Sequence, residues 1–318
     1  MPYFKVDGQR LAYTEFGGGP AEVTSGGRRG RTARSAPAGR PLILLHGLLL
    51  SQEMHRPLAE DLAARGNRVI TLDLLGHGRS DRPRDMWRYS MGKYGEEIVA
   101  LMDHLGLEEA AVMGTSLGAN AALEVASAHP ERLRGLVLEM PVLDNGLLGS
   151  ALAFTPLLVA VTFGEPVMKV LARATRTIPR KLVPHYTNVM LDVVRQEPGP
   201  SGALMQGLFF GRTAPHRTER RTFKTPALIL GHGRDPIHPF SDAGMLAKEM
   251  PNSRLIEADS LWELRVRPER LTNEIAVFLD EVWGSRRSRT RGKSPSSRSA
   301  GAKRPARRAG GSRATRSS

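Results

Sequence analysis

The sequence predicts an α/β fold, a mainly parallel twisted sheet with helices on both faces, on three observations. Short apolar runs that read as buried strands recur at 42–45, 69–73, 110–113, 135–138, 227–230 and 254–257. Segments of helical spacing stand between them, and strand–helix–strand alternation marks a sheet covered on both faces. The 318 residues include no cysteine, so the chain folds without disulfides or thiolate metal sites, and about 285 of them suffice for one large core.

Tyr3-Phe4-Lys5-Val6-Asp7 starts a strand of an N-terminal hairpin and shows no apolar signal region, so a cytoplasmic location is the expectation. Residues 24–40 form an Arg/Gly-rich loop insertion before the strand Leu42–Leu45, which ends in His46-Gly47-Leu48. The strand 69–73 runs into Leu74-Leu75-Gly76-His77-Gly78. Ile98, Leu101, Met102 and Leu105 share one helical face, and Gly106 caps a helix over 90–105.

The strand 110–113 leads into Gly114-Thr115-Ser116-Leu117-Gly118, followed by the small residues Ala119, Ala121, Ala122 and Ala126. A serine that presents its hydroxyl above a sheet sits on a strained, sharp strand-to-helix turn, and the residues two before and two after it must be small. Gly114 and Gly118 meet that requirement. Alone the motif also describes an ordinary glycine turn. Its order after His46-Gly47 and the 69–78 segment carries further weight.

This arrangement resembles the α/β-hydrolase family over residues 1–283, most specifically over 42–140. The resemblance implies a serine hydrolase of the esterase type. No cofactor or metal is implied, since no histidine and carboxylate cluster has metal-ligand spacing and no glycine loop resembles a phosphate cradle. The resemblance makes Ser116 the nucleophile and puts the backbone amides of Leu48 and Leu117 in the oxyanion hole, with His46 and His77 shaping their loops. It also makes residues 142–222 a helical cap over the pocket. Asp235, after the strand 227–230, stands where the family places its acid, and Asp144 is a second candidate. A carboxylate nucleophile of the dehalogenase type is disfavoured because the elbow holds serine.

The family's histidine belongs in the loop after the last strand, before a helix that here starts near Pro268-Glu269 with Leu271, Ile275, Phe278, Leu279 and Val282 as its apolar stripe. That position reads Leu261, and the last histidine of the chain is His238. Three readings stay open. His238, three residues after Asp235, serves as an unconventional base. Alternatively the protein is a catalytically impaired ligand-binding member of the fold, or the same pocket performs another reaction.

Leu147 to Phe163 is nearly free of polar side chains and close to the ~17-residue lower bound of a membrane span. Pro156 interrupts it and Glu165 follows, so it reads as cap lining an apolar pocket. Met168, Val170, Leu171, Met190, Leu191, Val193, Met205, Leu208 and Phe209 extend that wall and point to a small apolar acyl substrate.

The net charge of +14 sits largely outside the body. Residues 285–318 carry twelve Arg or Lys and no acid, and 24–40 carry five Arg, which leaves about −3 for the rest. The tail 285–318 has no apolar period and reads as basic and disordered. Binding of nucleic acid or an anionic membrane through it is less favoured than a solvated extension. The oligomeric state is not legible.

Overall fold

The computed structural model describes residues 2–18 and 39–291, the last seven by their backbone alone. Strands β1 (Tyr3–Val6) and β2 (Gln9–Phe16) form an antiparallel hairpin turned at Asp7 and Gly8, both at positive φ, 47° and 80°. Asp-Gly favours the primed hairpin turn because glycine and aspartate tolerate such angles. Then follow β3 (Arg40–Leu45), α1 (Arg56–Ala64), β4 (Asn67–Leu72), α2 (Met91–His104), β5 (Ala110–Thr115), α3 (Leu117–Ala128) and β6 (Leu133–Glu139). Between β6 and the next strand lie α4 (Gly146–Phe163), α5 (Glu165–Arg176), α6 (His185–Arg195), α7 (Pro198–Phe209) and the short α8 (Arg217–Arg220). The chain closes with β7 (Ala227–His232), α9 (Phe240–Glu249), β8 (Ser253–Ala258), α10 (Glu263–Val266) and α11 (Glu269–Arg291).

The eight strands form one sheet in the order β1-β2-β4-β3-β5-β6-β7-β8, parallel from β4 to β8, as the α/β prediction required. Period-two alternation splits the core. Ile43 and Leu45 pack on the side of α2 and α3, whereas Leu42 and Leu44 pack on the side of α1 and α11. On α11, Leu271, Ile275, Phe278, Leu279 and Val282 are buried, the face its spacing indicates. α2 starts at Ser90, whose hydroxyl accepts from the Lys93 amide at 3.2 Å, and ends before Gly106 at φ 65°.

Three boundaries differ from the sequence reading. α4 runs through Pro156 without interruption. The ring removes one helical hydrogen bond at residue 152, and that site is solvent-exposed, so water can take the freed carbonyl. Arg40 belongs to β3 and pairs with Asp280 on α11, leaving 24–38 of the basic loop outside the described residues. Helix α11 continues to Arg291, past the expected start of the tail at 285; it contains no proline, and Gly284 is a single glycine that a helix tolerates. The rest of the tail lies outside the described residues.

Candidate active site

Ser116 joins β5 to α3 at φ 54° and ψ −114°, a strained backbone for a residue with a side chain. Its neighbours show why glycine flanks it. A Cβ on Gly114 would stand 2.1 Å from the Gly118 carbonyl carbon, and one on Gly118 would stand 2.6 Å from the Leu45 carbonyl oxygen. The Ser116 amide donates to the Glu139 carbonyl at 2.8 Å, tying the elbow to the end of β6.

The loop after β7 brings Asp235 and His238 to that elbow. Ser116 Oγ lies 2.8 Å from His238 Nε2, and His238 Nδ1 lies 2.7 Å from Asp235 Oδ2. The other carboxylate oxygen of Asp235 accepts from the Ile237 and His238 amides at 2.8 and 3.0 Å. Pro236 and Pro239 narrow the backbone choices of Asp235 and His238, so Asp-Pro-Ile-His-Pro is a stiff turn that holds acid and imidazole together. Burial alone would raise the Asp235 carboxyl, but the hydrogen bond and charge of His238, with the two amides, hold it below the usual aspartate range.

The amides of Leu48 and Leu117 make no hydrogen bond among the described residues, and both residues line the cavity that Ser116 faces. Leu117 opens α3, where helix amides are unpaired and the dipole favours negative charge. Leu49, at φ 59°, strains the turn that carries Leu48.

The cavity measures about 240 Å³ and is lined chiefly by apolar side chains, among them Met91, Phe154, Met205, Leu208 and Phe209, with Asn120, Ser150 and Thr213 as its other polar groups. Among the described residues no charged side chain lines it. Only part of the segment 147–163 reaches it, through Leu147, Ser150, Ala151 and Phe154. Of the other expected wall residues, Met205, Leu208 and Phe209 line it, whereas Val170, Leu171 and Met190 are exposed and Met168 and Val193 line a separate crevice. Apolar character alone does not say which way a helix faces.

Asp144 is 66% exposed at its side chain, lies 3.6 Å from Arg220 and makes no hydrogen bond to His238. His46 and His77 are fully buried with ring centroids 4.6 Å apart and planes tilted by 50°, and burial holds both below the ordinary histidine range. His46 Nδ1 bonds the Gly47 carbonyl and its Nε2 accepts from the Leu74 amide, so it braces two loops.

Sequence reasoning missed a polar network behind the elbow. Where the family histidine is expected, the chain after β8 carries Leu261 on a loop and sends Arg265 of α10 toward β6. Its guanidinium bonds Glu139 at 2.8 Å, and Glu139 in turn accepts from the Thr115 hydroxyl at 2.5 Å. Burial would raise the Glu139 carboxyl, but Arg265 outweighs it and holds it at about 2. A glutamate ending a buried strand was the only hint in the sequence. Among the described residues no group of three His, Cys, Asp or Glu is placed to hold a metal.

A family profile for the alpha/beta hydrolase fold matches residues 40–156. The chain is 33% identical over 118 residues to a haloalkane dehalogenase of Mycolicibacterium paratuberculosis, a match covering 37% of this chain and 38% of that protein's length. It is 28% identical to a 2-hydroxymuconate semialdehyde hydrolase of Pseudomonas putida over 77% of this chain and 88% of that one. Among solved structures, the enol-lactonase from Burkholderia xenovorans LB400 superposes with TM-score 0.67 at 23% identity, over 87% of this chain and 99% of that one. The sheet order, the strained serine elbow and these likenesses agree, and the chain has the α/β-hydrolase fold.

Proposed function

We propose that the protein is a serine-dependent hydrolase of carboxylic esters or related small apolar acyl substrates. One observation carries the reading: the unbroken run from Ser116 Oγ through His238 to Asp235, at 2.8 and 2.7 Å. Ser116 attacks the acyl carbon while His238 Nε2 takes its proton, and Asp235 fixes the tautomer and stabilises the imidazolium. The carbonyl oxygen becomes an oxyanion facing the Leu48 and Leu117 amides. Collapse expels the alcohol, which takes the proton from His238. Water, deprotonated by the same nitrogen, then cleaves the acyl-enzyme and releases the acid and Ser116.

At about 240 Å³ the cavity falls below the roughly 300 Å³ of sites that hold drug-sized ligands, which favours a short acyl group. Its uncharged lining favours a neutral acyl portion over one bearing a carboxylate. A lactone is a cyclic ester, so the name of the enol-lactonase neighbour agrees with acyl chemistry. The elbow offers no carboxylate for halide displacement.

The test is labelling of the full-length protein by a fluorophosphonate probe, with Ser116→Ala and His238→Ala beside it. Labelling of wild type that disappears in both variants is expected. Folded wild type that stays unlabelled would replace this reading with the ligand-binding one.

A further inference from the structure

Helix α4 spans 18 residues with no charge and a mean hydropathy of 1.9, yet only 11% of it is buried. One face, with Phe154, Leu157, Leu158 and Val161, packs on the core. The opposite stripe, Leu148, Leu152, Val159 and Phe163, is 50–81% exposed. Its spacing of four, seven and four residues keeps it on one side for about 22 Å of helix. Beyond Gly164, α5 continues the pattern with Val167, Val170 and Leu171 outward, and Lys169 and Arg173 along one flank. Thirteen of the eighteen large apolar side chains left exposed among the described residues lie between Leu147 and Phe210.

Soluble monomers seldom leave so long an apolar surface to water, and the charge around this one selects its partner. Residues 146–183 contain one acid, Glu165, against Lys169, Arg173, Arg176, Arg180 and Lys181. Glu165 is already engaged by Lys169 at 2.9 Å and Arg84 at 3.3 Å, whereas Arg173 and Lys181 form no ion pair among the described residues. A second copy related by a two-fold axis would set these cations against themselves. A bilayer with anionic headgroups satisfies both the stripe and its cationic border. Spanning is excluded because α4 commits its other face to protein.

We propose that the outward face of α4 and α5 is a docking surface for an anionic lipid bilayer. The other side of α4, through Leu147, Ser150, Ala151 and Phe154, lines the Ser116 cavity, so the helix stands between that cavity and a docked bilayer. This inference stands on exposure and charge and does not require that Ser116 be catalytic.

The test is flotation of the full-length protein with vesicles of equimolar phosphatidylcholine and phosphatidylglycerol, beside Leu152→Ser/Phe163→Ser and Arg173→Glu/Lys181→Glu. Wild type is expected to float, and each double variant to lose binding by about tenfold or more with an unchanged melting curve. The proposal is overturned if wild type stays in the soluble fraction. It is equally overturned if both folded variants float as wild type does, which would assign binding to the basic tail, or if wild type is a dimer that the serine variant splits, which would assign the face to a second copy.

Discussion

Asp235 gives both oxygens to His238 and its own turn, so its removal disorients the base without touching the pocket. Asp235→Asn is expected to lower kcat for a short-chain p-nitrophenyl ester on the order of 10⁴-fold with KM little changed, read by steady-state kinetics. A carboxyl with the opposite surroundings is Glu97. It is buried, accepts from the Leu75 amide at 3.0 Å, forms no ion pair among the described residues, and burial, against a smaller opposing effect of Lys93, pushes it up to about 8 from an ordinary 4.5. Between those values the unfolded chain gives up this proton while the folded chain keeps it, so stability falls as pH rises from about 4.5 to about 8. Glu97→Gln removes that slope. Thermal melts are expected to place the variant near wild type at pH 5 and above it at pH 8.

Strand ends and the turns beyond them decide the chemistry. The elbow was readable because steric demand writes glycine at fixed offsets, and the Gly114 and Gly118 contacts with backbone atoms show that demand directly. The place of Asp235 near the elbow was readable from its position after β7. That His238 reaches Ser116 was not, since three residues of spacing fix the distance to Asp235 and not the direction of the ring. The pairing of Glu139 with Arg265 was illegible for a similar reason: 126 residues separate them, and only the β6–β7–β8 order brings them together. Arg265→Met leaves the Glu139 charge buried without its partner and is expected to cost about 3–5 kcal/mol in urea unfolding at pH 7. In wild type the same pair contributes stability above pH 4.5, lost as pH falls toward 2, because the unfolded carboxyl takes up its proton first.

Across the whole molecule, the parallel sheet and its two-sided core followed from strand–helix alternation and apolar periodicity, while the orientation of the helices between β6 and β7 did not, because an apolar run reads alike whether it faces a pocket or solvent. The sheet nevertheless brings the Ser116 hydroxyl, the His238 imidazole and the Asp235 carboxylate together from only two stretches of chain, the elbow at 114–118 and the turn at 235–239, with Leu48 beside them from a third. The final strand and its loop contribute bracing through Arg265 and no proton carrier. Tolerance to length change should therefore be inverted along the C-terminal third. One glycine inserted after Leu261 is expected to leave ester turnover within about threefold in a stably folded protein, whereas one inserted after Pro236 is expected to abolish it, as kinetics beside a melting curve will show. Acid and base so close in the chain travel as a single unit of inheritance: recombination anywhere beyond Pro239 exchanges the scaffold and leaves the reactive turn whole.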